Sequence, residues 1–143
     1  MSGSRIVAAL PPLDENQVIA LLCAELEARG FVIEQRLHTT QQGVDIIALE
    51  PGATGRVLIE AKGATSSRKT SKRYGKPYGS AEVRINVAEA FYTASAVAGR
   101  AEPQVRSGMA FQDDDLHRRY VEPLLPACSK LGIEVHWVTN PDH

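Results

Sequence analysis

A chain of 143 residues is long enough to bury a core of its own, and one domain over 1–143 is the expectation. The apolar fraction of 43% and charged fraction of 23% suit an ordinary soluble globular protein, and no apolar run reaches the ~18 residues of a membrane span. A net charge of −1 gives no global pull toward nucleic acid, so any such signal must be local. The opening MSGSRIVAALPPLDE lacks the apolar core of a signal peptide, and residues 1–13 read as a flexible lead-in.

In chain order, DENQVIALLCAELEAR (14–29) places Val18, Leu21, Leu22, Cys23 and Leu26 at helical spacing. Asp14 can cap its start, with Gln17 three residues on, and Gly30 follows its end. FVIEQRL (31–37), VDIIALE (44–50) and RVLIEAK (56–62) read as strands, the last two joined by a turn built from Pro and Gly. A polar, basic loop covers 65–79. A second helix, from Ala81 to Val97, aligns Val83, Val87, Ala90, Phe91, Ala94 and Val97 on one stripe. VRSGMAFQ (105–112) is a fourth strand. Residues 113–131 read as a helix interrupted at Pro123 and Pro126, and IEVHWVT (133–139) as a fifth strand. The order α-β-β-β-α-β-α-β predicts a three-layer α/β domain with a mixed sheet of about five strands flanked by helices. Cys23 and Cys128 lie in amphipathic segments without CxxC spacing, which suggests reduced, buried thiols in a cytoplasmic protein.

The stretch GVDIIALEPGATGRVLIEAKG (43–63) carries the chemistry. Pairing 44–50 with 56–62 about the turn sets Ala48 against Val57, Ile46 against Ile59 and Asp45 against Glu60. Opposed residues share a face, and alternation along the strand adds Lys62 to it. An E-x-K pair on a strand is commonly a solvated ladder. Here the flanks are apolar at both parities, as in a central strand, and buried acids need a partner. Oxygen donors of this kind suit Mg²⁺ or Mn²⁺. Lys62 would orient the attacking water or neutralise charge developing on a phosphate.

With a helix and a strand before it, GVDIIALE…RVLIEAKG resembles the PD-(D/E)XK nuclease superfamily, which includes Mrr-type restriction endonucleases and Holliday-junction resolvases. Asp45 matches its first acid, Glu60 the second and Lys62 the lysine; Val44 stands where the literal motif has Pro. The motif resemblance covers roughly 14–98. It implies a restriction-endonuclease-like fold, a metal held by Asp45, Glu60 and the Ala61 carbonyl, and a catalytic set of Asp45, Glu60 and Lys62. Many relatives add a glutamate from the first helix. Glu15 is the first candidate and Glu25 the second; a first-turn acid favoured by the helix dipole explains Glu15 about as well.

The segment TSSRKTSKRYGKPYGS concentrates cations, with Arg68, Lys69, Lys72, Arg73 and Lys76 interleaved with Tyr74 and Tyr78. These side chains could neutralise phosphates and pack on sugars or bases; the alternative is a solvated loop. Arg84 reads as a surface arginine within reach of a phosphate. His38 reads as a loop histidine, His117–Arg119 as a solvated helix face and Trp137 as core.

The expected function is a divalent-metal-dependent, endonuclease-type phosphodiesterase acting on nucleic acid, DNA first. The alternative is a non-catalytic nucleic-acid-binding or assembly module that keeps the fold. A chain this short has little room for a recognition domain, so a homodimer or a partner subunit would supply specificity. Small-molecule chemistry lacks its signatures: there is no GxGxxG, Walker loop, GxSxG or zinc spacing.

Overall fold

The computed structural model describes residues 11–37, 43–52, 55–66 and 75–141. Helix α1 spans Glu15–Ala28 and begins with the capping box read from sequence. The Asp14 carboxylate accepts from the Gln17 amide at 2.8 Å while the Gln17 side chain accepts from the Asp14 amide at 2.9 Å. Gly30 ends it with a φ of 92°, a left-handed conformation that favours glycine.

Strands β1 (Val32–Arg36), β2 (Ile46–Leu49) and β3 (Arg56–Ala61) form an antiparallel meander. The β2–β3 register is the one the hairpin predicts, with Ile46 opposite Ile59 and Ala48 opposite Val57. Helix α2 (Ser80–Gly99) crosses over to β4 (Val105–Gln112), which lies parallel to β3. The segment read as one interrupted helix is α3 (Asp115–Val121), a 3₁₀ turn (Glu122–Leu124) and α4 (Leu125–Leu131), with Asp113 outside any helix. Pro123 and Pro126 each sit in a first turn, where the missing N–H costs nothing. Strand β5 (Ile133–Val138) completes a five-stranded mixed sheet ordered β1-β2-β3-β4-β5.

Alternation along the strands divides the core. Val57, Ile59 and Ala110 pack with Val18, Leu22, Cys23 and Leu26 of α1. Met109 and Phe111 pack with Val83, Val87 and Ala90 of α2 and with Val121 and Cys128. Helix α1 therefore covers one face and α2 to α4 the other, giving three layers. Each fully buried aliphatic side chain contributes about 1.5–3 kcal/mol. Both cysteines are buried and free. Among the described residues no helix is long and apolar enough to cross a membrane.

His117 departs from its sequence reading. It is 1% exposed, its Nδ1 lies 2.8 Å from the Asp114 carboxylate, and its ring packs 5.7 Å from Phe111. Of the three residues 117–119, only Arg118 and Arg119 are solvated. Trp137 is only half-buried; it packs on Phe111 and carries the Arg118 guanidinium 4.0 Å from its ring centroid.

Candidate active site

Three strand ends and one helix start meet at the carboxyl end of β3. Asp45 lies one residue before β2, and its carbonyl accepts from the Leu37 amide at 2.8 Å. The Gln35 side chain holds the neighbouring Val44 carbonyl at 2.9 Å. Asp45 is 7% exposed, and its Oδ2 accepts from the Ala61 amide at 2.8 Å. That bond fixes the carboxylate across the hairpin, beside Glu60. The two carboxyl groups lie close enough for the charge of each to act on the other.

The electrostatics follow from burial. Desolvation, then the charge of Asp45, pushes Glu60 up to about 8, against the pull of Lys62. Desolvation also raises Asp45, opposed by the Ala61 amide and Lys62. Two acids this close, in so dry a place, coexist only with a proton or a cation.

Glu15 joins them through a contact remote in sequence. Beyond β3 the chain runs beside the segment leading into α1: the Ala64 amide donates to the Leu13 carbonyl at 2.7 Å, and Asp14 bridges Thr65 in parallel. Gly63 permits the approach, because a Cβ there would meet the Asp14 carbonyl carbon at 2.7 Å. Glu15 is thereby half-buried, and desolvation followed by the Asp45 charge raises it to about 7. Glu25, the second candidate, lies ten residues along α1, about 15 Å by helical rise, and is exposed.

The Lys62 side chain is 16% exposed and its Nζ lies 3.1 Å from Glu89 Oε1 on α2. Glu89 is a site residue that sequence reading missed. Its only local signal is a carboxylate off the apolar stripe of α2, which names no partner. Among the remaining candidates, Lys76 and Arg84 are exposed and Tyr78 is half-buried, its amide donating to the Ala64 carbonyl at 2.8 Å. Arg68, Lys69, Lys72, Arg73, Tyr74 and His38 lie outside the described residues.

Among the described residues no group of three or more His, Cys, Asp or Glu is arranged to hold a metal ion. The Asp45–Glu60 pair is a smaller, all-oxygen set. Such a set fits Mg²⁺, which is usually bound through one or two carboxylates and keeps several waters. No family model, curated protein or solved structure matches the chain.

Proposed function

We propose that this chain is a divalent-metal-dependent, endonuclease-type phosphodiesterase acting on nucleic acid, with DNA the favoured substrate, and that it belongs among the PD-(D/E)XK nucleases. One observation carries the reading: the Asp45 and Glu60 carboxyl groups lie together at the mouth of an otherwise apolar hairpin, with Lys62 beside them. A Mg²⁺ or Mn²⁺ ion held by Asp45, Glu60 and the Ala61 carbonyl would supply positive charge at the phosphate and acidity at water. Lys62 neutralises charge growing on the phosphoryl oxygens. Glu15, half-buried beside the pair, is placed to exchange a proton with the attacking water. Sequence or structure specificity comes from a second copy or a partner subunit, and the buried free cysteines favour a cytoplasmic setting.

The test is incubation with linear, nicked, branched and single-stranded DNA plus Mg²⁺ or Mn²⁺. Cleavage should require the cation and collapse in Asp45→Ala, Glu60→Ala and Lys62→Ala. Equal cleavage by all four proteins would identify a contaminating nuclease. A second reading, a non-catalytic nucleic-acid-binding module, draws support from the Lys62–Glu89 ion pair, which occupies the ammonium that catalysis needs. Binding of DNA without cleavage under every condition would select it.

A further inference from the structure

Strand β1 slips register in its middle. Ile33 lies opposite Ala48, yet Gln35 lies opposite Ile47 and Arg36 opposite Ile46, so Glu34 is an extra residue, a β-bulge. Ala48 belongs to the core under α1, and opposed residues share a face, so Ile33 is on the α1 face. Unbroken pairing would set Gln35 against Ile46, a fully buried member of that same core. The bulge instead turns Gln35 to the opposite face, that of half-buried Ile47.

The slip reaches the acidic pair. Continued past Arg36, the shifted register sets Leu37 against Asp45, and the Leu37 amide donates to the Asp45 carbonyl at 2.8 Å. Without the slip Leu37 would stand against Val44. The Val44 carbonyl accepts from the Gln35 side chain instead, at 2.9 Å from Nε2. These two carbonyls belong to the peptide units on either side of the Asp45 α-carbon. Each unit is planar, so tying both to β1 leaves the Asp45 backbone little freedom. The backbone in turn sets where the side chain starts, and the carboxylate arrives at the Ala61 amide at 2.8 Å. Bulges occur beside active sites for this kind of re-aiming. A glutamine does it with a neutral donor, adding no cation to compete for the two acids.

We propose that Gln35 is a positioning residue, delivered by the β1 bulge, whose amide fixes the Val44–Asp45 peptide and so aims the Asp45 carboxylate into the site. Its consequence for metal binding rests on the nuclease reading above; the aiming itself does not.

The first arm of the test uses the metal-free, ¹⁵N-labelled full chain and reads two neighbouring amides. That of Ala61 is bonded to the Asp45 carboxylate, and that of Lys62 to the Ala110 carbonyl at 3.0 Å. Gln35→Met, nearly the same length without a donor, should speed Ala61 hydrogen exchange by up to about tenfold and leave Lys62 unchanged. Gln35→Asn keeps the amide but falls one methylene short, so it should give the same pattern, and it carries the test if the methionine variant does not fold. Glu34→Ala takes the Arg56 ion pair from the same bulge and should leave both amides as in wild type. Unchanged Ala61 exchange overturns the proposal. So does equal acceleration of Ala61 and Lys62, or the same effect from Glu34→Ala, since either describes general loosening of β1. The second arm is calorimetric titration with Mn²⁺, which Gln35→Met should bind about tenfold more weakly than wild type. A wild type that binds no Mn²⁺ counts against the nuclease reading, and the Ala61 amide then decides the role of Gln35 alone.

Discussion

Gly63 and Glu15 touch backbone to backbone: a methyl group on the Gly63 α-carbon would run into the Glu15 nitrogen and meet the Asp14 carbonyl carbon at 2.7 Å. Neither obstacle is a side chain that can swing away. Gly63→Ala should therefore cost about 1–3 kcal/mol through overpacking and lift the start of α1 off the acidic pair. Urea unfolding midpoints would measure it, and an unchanged midpoint would show that the approach is looser than described.

The Lys62–Glu89 pair leads to a prediction of opposite sign. Exposed ion pairs contribute about 0–1 kcal/mol, and Glu89 is 59% exposed, so Glu89→Ala should barely change the melting temperature. Removing a carboxylate beside the phosphate path should tighten DNA binding, while Lys62→Ala weakens it. Fluorescence anisotropy at fixed salt separates the two. Weaker binding by Glu89→Ala would mean that Glu89 serves the nucleic acid rather than competing with it.

Metal binding should appear as stability before any substrate is added. A cation that binds only the folded state, at 10 mM against an assumed dissociation constant of roughly 1 mM, contributes about 1.4 kcal/mol. For a domain of this size that is a melting-temperature rise of roughly 3–6 °C. Asp45→Asn should melt at or above wild type without metal and lose most of the response. Calorimetry at matched ionic strength decides; identical responses from the two proteins would exclude a metal site at this pair.

The same carboxyl groups set a pH dependence. Folded Glu60 keeps its proton to about pH 8 and Glu15 to about 7, while both ionise near 4.5 in the unfolded chain. Between those limits the folded state binds more protons, so metal-free stability should fall as pH rises from about 4.5 through about 8. Glu60→Gln should flatten that decline in thermal melts. A wild-type melting temperature that rises across the window contradicts the burial of the pair.

The hairpin was legible because its information is local. A Pro-Gly turn and apolar alternation determine which residues oppose one another, and so bring Asp45 to Glu60. The capping box at Asp14 and Gln17 was legible for the same reason. Glu15 could be named but not placed, since its position depends on Gly63 and Thr65, far along the chain. Glu89 stayed hidden because its partner, Lys62, lies on another element, and no local spacing joins the two. His117 was misread as solvated. The signal that could have corrected it is an N-cap aspartate three residues ahead, able to bond both the His117 amide and its ring.

The bridge between Asp14 and Thr65 also has a consequence in time. It ties residues 14–65 into a closed loop, and long loops close late because their ends must find each other against chain entropy. The meander can form its internal pairings first, with the acidic pair already opposed but Glu15 still away. The Ala64 amide proton, bonded to Leu13 only when the loop is shut, then works as a clock hand for that event. Its hydrogen exchange should track the arrival of α1 at the site, independently of the strands beside it.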